Sequence, residues 1–150
     1  MSWNTFFKEN KSILNSYDKI NSKIEKFIES GVDVNDKDKH NRNSLHFASM
    51  YGCLEITNLL ILKGANVNSL DNHNNTPLHF ASSAGYLDIV KLLIYNKSNI
   101  NFRNHHNYTP LHLASMYGYL EIVKILLDNE ADLNAINNYN DTSLHLASHF

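Results

Sequence analysis

Apolar residues fall along this chain in short clusters with helical spacing, and polar turns separate them. From Lys19 to Ser30, the residues Ile20, Ile24, Phe27 and Ile28 form one stripe, the pattern of an amphipathic helix. Ser44 to Tyr51 and Leu54 to Lys63 read as a pair of helices. Gly52 stands between them, suited to the left-handed conformation that closes a helix. The nearly continuous run Leu59-Leu60-Ile61-Leu62 predicts a second helix that is apolar on most sides and buried between neighbours. Gly64 ends it. The plan recurs downstream, with middle glycines Gly85 and Gly118 and second helices starting at Leu87 and Leu120. Helix pairs this short cannot bury their apolar faces alone, so stacking must do it.

The pattern has a strict period. Thr76-Pro77-Leu78-His79-Phe80-Ala81 returns 33 residues later as Thr109-Pro110-Leu111-His112-Leu113-Ala114. Worn copies lie one period to either side, at Asn43-Ser44-Leu45-His46-Phe47-Ala48 and Thr142-Ser143-Leu144-His145-Leu146-Ala147. Each letter has a physical task. Thr76 and Thr109 suit a helix N-cap, where the hydroxyl accepts from an orphan backbone N–H. Pro77 and Pro110, the only prolines, then fall at the first helical position, where the missing N–H costs nothing. Leu78 and Leu111 enter the core, and the small Ala81 and Ala114 let neighbouring helices approach.

Motif and period together resemble the ankyrin repeat, over about residues 30 to 150. The resemblance implies an all-α fold, a solenoid of stacked helix–turn–helix units with hairpin-like loops. It also implies that the motif histidines tie the turns through hydrogen bonds and do not ligate metal. The expected units are a degenerate N-terminal capping repeat at 1–37, repeats at 38–70, 71–103 and 104–136, and a partial repeat at 137–150 holding only a first helix. In the cap, Lys23 and Lys26 stand where later repeats have Ile56 and Leu59, giving the polar outer face a terminal unit requires. Phe6, Phe7, Ile13, Leu14 and Tyr17 suggest further helical turns packed on it. Trp3, Phe6 and Phe7 could instead form a docking motif.

Three departures from the family pattern bear on structure. Asn41, Asn74, Asn107 and Asn140 stand where the family has glycine, and asparagine tolerates positive φ best among the rest. The glycine after the second helix, kept at Gly31 and Gly64, becomes Lys97 and Glu130, which predicts mild strain there. The chain stops at Phe150 after a first helix, which suggests a fragment of a longer array or an open end covered by something else.

Composition narrows the chemistry. Thirteen basic and 15 acidic residues give a net charge of −2, no electrostatic case for nucleic acid or an anionic membrane. The single Cys53 permits no internal disulfide or zinc–thiolate cluster. No secretory signal or membrane-spanning run is evident, so a soluble, cytoplasmic protein without membrane insertion is expected. The many asparagines fall at fixed repeat positions, so disorder is discounted, and an AT-rich coding genome is the plainer cause. No phosphate loop, G-x-S-x-G, CxxC or H-E-x-x-H is present. His145 and His149 have zinc-ligand spacing, but His145 belongs to the motif. His40, His73 and His106 share one turn position. With helices about 8–10 Å apart, adjacent rungs are too distant to share a metal. His105 beside His106 is a weak pair. No catalytic, cofactor or metal site is therefore expected, and no small-molecule substrate.

These readings point to a non-enzymatic scaffold that binds a partner protein. The family resemblance implies a concave surface built from hairpin tips and first-helix ends. The tips map to Lys39, His40, Arg42, His73, Asn75, His105, His106, Tyr108 and Tyr139. The helix ends map to Met50, Tyr51, Ser83, Ala84, Met116 and Tyr117. Repeats one and three read Ser-Met-Tyr-Gly and repeat two Ser-Ser-Ala-Gly, which suggests two bulky patches around a shallow saddle. The alternatives are a regulatory or targeting fragment of a larger protein, and a pathogen effector that recruits a host protein.

Overall fold

The computed structural model describes the backbone of residues 2–14 and 17–148. Among these residues there are nine α-helices, one 3-10 turn and no strand. The helices are α1 Trp3–Glu9, α2 Tyr17–Glu29, α3 Ser44–Tyr51, α4 Leu54–Leu62, α5 Pro77–Ala84, α6 Leu87–Tyr95, α7 Pro110–Met116, α8 Leu120–Asp128 and α9 Ser143–Ala147. They form two layers. The odd-numbered helices stack on each other in chain order, and so do the even-numbered ones. Within a repeat, α3 packs on α4, α5 on α6 and α7 on α8. This is the all-α stack of helix–turn–helix units expected.

Local chemistry sets the helix bounds. Asn43, Thr76, Thr109 and Thr142 are N-caps whose side chains accept from the backbone N–H three residues on. Pro77 and Pro110 occupy the first helical position. Gly52 and Gly85 close α3 and α5 with φ of 73° and 80°. Space forbids a side chain there as well. A Cβ on Gly52 would lie 2.5 Å from the Tyr86 ring, and one on Gly85 would lie 2.7 Å from the Tyr119 ring. The next repeat's tyrosine thus rests on the bare backbone of the glycine before it. Asn41, Asn74, Asn107 and Asn140 take φ between 58° and 64°, as glycine replacements should. Lys97 and Glu130 are left-handed too, at 67° and 66°, a strain of about 1 kcal/mol each for residues with a Cβ.

The core runs along the stack between the layers. One aromatic-rich cluster fills its N-terminal end, and an aliphatic one spans repeats two and three. Trp3, Phe6, Phe7 and Leu14 are all buried in the first, so the aromatic cluster is core and not a docking motif. The Trp3 indole donates to the Asp33 carbonyl at 2.8 Å. Phe6 stacks on Phe27 at 4.8 Å, and Phe7 stacks on Phe47 at 5.7 Å. Helix α1 therefore stands in the first layer, where the cap repeat has no motif helix of its own. Lys23 and Lys26 are exposed, and Lys23 Nζ donates to Asn10 Oδ1 at 2.8 Å across the cap.

One expectation fails. The run Leu59 to Leu62 is not buried on most sides. Leu60 is fully enclosed, Leu59 and Ile61 are half-buried, and Leu62 is 75% exposed. Helix α4 has neighbours in its own layer and one partner in the first layer, so its far side faces solvent.

Burial ranks the motif leucines. Leu111 is 1% exposed and Leu144 is 72% exposed. Leu111→Ala is expected to cost about 2–5 kcal/mol, as a buried large-to-small change. Leu144→Ala is expected to stay within about 0.5 kcal/mol of the parent, as a surface change. Urea denaturation of the two variants checks both values.

Candidate functional site

Before each first helix the chain makes a tight polar tip. Asp38, Asp71, Asn104 and Asn137 hold the four tips from within. The Oδ1 atom of each accepts two backbone N–H groups, from the residues two and four positions on. One backbone bond then joins each tip to the next. Asn72 N donates to His40 O at 2.9 Å, His105 N to His73 O at 2.9 Å, and Asn138 N to His106 O at 3.1 Å. A second ladder runs at the other loop. The side-chain amides of Asn35, Asn68 and Asn101 each donate to a carbonyl 29 residues on and accept from an N–H 31 residues on.

The motif histidines bind the same interfaces from inside. His79 Nδ1 accepts from Thr76 N at 3.2 Å and lies 2.9 Å from the Thr76 hydroxyl. Its Nε2 lies 3.1 Å from the Tyr108 carbonyl of the next tip. His112 repeats this with Thr109 and the Asp141 carbonyl, and His46 with Asn43 and the Asn75 carbonyl. Only the neutral ring with its proton on Nε2 serves both sides, because Nδ1 must accept and Nε2 must donate. The rings are buried. Burial pushes His46 and His79 down to about 4 and lowers His112 as well. At Cys53, burial raises the thiol to about 12, so it is no nucleophile near neutral pH.

This architecture, with its period, matches a known family. A profile described as ankyrin repeats (3 copies) matches residues 14–104, and one described as ankyrin repeats (many copies) matches residues 96–147. The chain belongs to the ankyrin repeat family. No curated protein matches its sequence. Ankyrin repeats are generally protein–protein interaction modules and typically non-enzymatic. Among the described residues, no group of three or more His, Cys, Asp or Glu is placed to hold a metal, and no helix is long and apolar enough to cross a membrane. His149, the partner invoked for His145, lies outside the described residues.

The ankyrin tips carry the expected side chains in unequal states. Lys39, His40, His73, His105 and His106 are exposed, and Tyr139 is 69% exposed. Arg42 is half-buried and committed. Its Nη2 meets Asp38 Oδ2 at 2.7 Å, and its guanidinium lies 4.8 Å over the Phe47 ring. Burial alone would raise the Asp38 carboxyl, but hydrogen bonds from Arg42 and His40 outweigh it and lower it. Asn75 is spent inside the tips, donating to Asp71 Oδ2 at 3.2 Å and accepting from Asn104 at 2.9 Å. Tyr108 is half-buried, edge-on to His112 at 5.8 Å.

At the first-helix ends, Met50, Ser83, Ala84 and Met116 are half-buried. Tyr51 and Tyr117 are equivalent in sequence and different in space. Tyr51 stacks on Phe7 of α1 at 6.0 Å, while Tyr117 is 51% exposed. The two bulky patches are therefore unlike each other. Sequence reasoning missed exposed apolar side chains on the second layer: Leu120 and Leu127 on α8 and, at one shared repeat position, Leu62 and Tyr95, the latter 83% exposed. The signal was available: repeat three has Asp128 at that position.

Thr76 and Thr109 can donate a hydroxyl proton to Nδ1 while accepting from the helix. Asn43 Oδ1 has no proton to give, so at 2.7 Å from His46 Nδ1 two acceptors face each other. Asn43→Thr is expected to stabilise the chain by about 0.5–1 kcal/mol, read as a higher urea midpoint. The depressed rings also fix a pH dependence. The unfolded chain takes up protons near 6.5 and the folded chain only near 4, so stability is full above pH 6.5 and falls as pH drops toward 4. His46 and His79 each contribute on the order of 3 kcal/mol to that loss at its limit. Denaturation midpoints at pH 7, 5.5 and 4 should decline steeply, and His79→Gln should flatten the slope.

Proposed function

We propose that this ankyrin chain is a non-enzymatic, cytoplasmic scaffold that holds a partner protein along its tips and first-helix ends. The observation that carries this reading is a division of labour among the side chains. The motif residues, the tip anchors and the asparagine ladder are consumed by the fold. The tips and the helix ends beside them keep side chains that the fold does not use: Lys39, His40, His73, His105, His106, Tyr117 and Tyr139 are exposed there. Exposed tyrosine is a favoured anchor in protein interfaces, and the half-buried Met50 and Met116 can adapt to a partner's shape. The second layer carries solvated short-range pairs such as Lys124–Glu121 at 2.7 Å beside its exposed apolar side chains.

The exposed Leu62 and Tyr95 favour a second reading, in which the second layer makes the contact. A role as a regulatory or targeting part of a larger protein, or as an effector recruiting a host protein, is compatible with either face.

Affinity capture with the full chain, followed by mass spectrometry, supplies the partner. Tyr117→Ala with Tyr139→Ala is then expected to weaken binding at least about tenfold, the loss of one modest anchor, with unchanged circular dichroism. Tyr51→Ala is unsuitable, because it would also remove the stack on Phe7. Leu62→Ser with Tyr95→Ser is expected to leave affinity unchanged. The opposite result moves the binding face to the second layer.

A further inference from the structure

Acidic residues outnumber basic ones in this chain, 15 to 13, yet none stands exposed on the four tips, residues 38–42, 71–75, 104–108 and 137–141. Three carboxylates occur there, and each is withdrawn. Asp38 is engaged by Arg42 at 2.7 Å, its side chain only 5% exposed. Asp71 is buried and accepts from His73 N, Asn75 N and the Asn75 amide. Asp141 is half-buried. Helices α3, α5, α7 and α9 behind the tips carry no Asp, Glu, Lys or Arg. Exposed carboxylates stand instead on the second helices, at Glu55, Asp88 and Glu121.

What the tips do show solvent is Lys39, His40, His73, His105 and His106. Backbone bonds of 2.9, 2.9 and 3.1 Å join the tips into one ridge. Their register runs one residue short of the period, so His105 lies beside His73, with ring centroids 6.2 Å apart. His40 and His106 border Asn72 and Asn138. Imidazole is the side chain that ordinarily changes charge between pH 5 and 8. Exposed charge on the ridge can therefore rise from that of Lys39 alone to five like charges. Asp71 and Asp141 offset part of this, and tyrosine stays uncharged in the range. Asp36 and Lys37, just before the first tip, are exposed and of opposite sign.

We infer that the tip ridge takes an acidic segment of a partner protein, rich in Asp and Glu, and holds it more tightly as pH falls through the imidazole range. The inference rests on the tips being the binding face, as proposed above. A protonated ring offers two N–H donors, so a carboxylate meets charge-assisted hydrogen bonds there. The neighbouring rings of His73 and His105 put the most such donors in one place. A nucleic-acid backbone fits less well, because one free lysine cannot neutralise the several phosphates it presents.

The test uses the full chain and a fluorescein-labelled peptide of alternating Glu and Gly, read by anisotropy in low salt at pH 7.5 and 6.0. The buried rings protonate only near 4, so the fold persists at both values, which circular dichroism checks. Binding should tighten at least about tenfold at the lower pH, a gain on the order of one or two charge-assisted bonds, and weaken with added salt. His73→Gln with His105→Gln should remove most of that gain. Lys63→Gln with Lys91→Gln, on the second-layer side, should keep it. Equal affinity at both pH values overturns the inference, as does a gain that survives intact in the histidine pair. Tighter binding of a Lys–Gly peptide at pH 6.0 overturns it too. So does an oligothymidylate that outbinds the peptide at equal charge, since phosphate would then be the recognised group. The binding face is judged apart. It falls if Tyr117→Ala with Tyr139→Ala leaves the captured partner's affinity unchanged, whereas the acidic reading can fail with that face intact.

Discussion

One neutral imidazole per repeat holds this structure in order. The ring of His46, His79 or His112 closes the start of its own helix through Nδ1 and reaches the next tip through Nε2. A single side chain thus couples local structure to stacking. Neither half works with the wrong tautomer or an added proton, which is why the ring must be buried and uncharged. The threonine N-cap suits this ring because a hydroxyl can donate and accept at once. The whole motif follows from that pairing: a hydroxyl, a proline that gives up no needed N–H, a leucine for the core, and the ring.

Around this interior bond the asparagines form two outer ones. Their abundance invited an explanation from coding composition. The structure gives many of them work. Asn35, Asn68 and Asn101 straddle successive repeats, and Asn41, Asn74, Asn107 and Asn140 take the left-handed bend of the tip. A side-chain amide donates from its nitrogen and accepts at its oxygen in fixed directions, as a bridge between a carbonyl and an N–H needs.

What could be read from the residues was what repeats. Helix positions, capping residues, left-handed glycines and their asparagine substitutes all sit at fixed phase within the period, and physical roles attach to phase. What could not be read were contacts between different phases. Tyr51 looks like Tyr117 until α1, which has no motif, lays Phe7 against it. Leu62 looks like core because an apolar run has no direction until its neighbours are placed. The meeting of His73 with His105 was hidden because the ladder His40, His73, His106 follows the sequence period, whereas the tips pair one residue out of step. The proposed binding residues share this limit: their phase was legible, but whether each side chain was already engaged was not.

The fixed offsets of 29, 31 and 32 residues between bonded partners carry a consequence for how such a chain can change over generations. Duplicating or deleting a whole unit leaves every offset intact, since each bond reaches only the adjacent copy. Inserting one codon between His79 and Lys97 would detune the amide bridge, the ring-to-carbonyl bond and the tip junction together. Length variation in this array is therefore quantised: drift is admitted in steps of a full repeat, and the single-residue slips that surface loops ordinarily tolerate are closed to it.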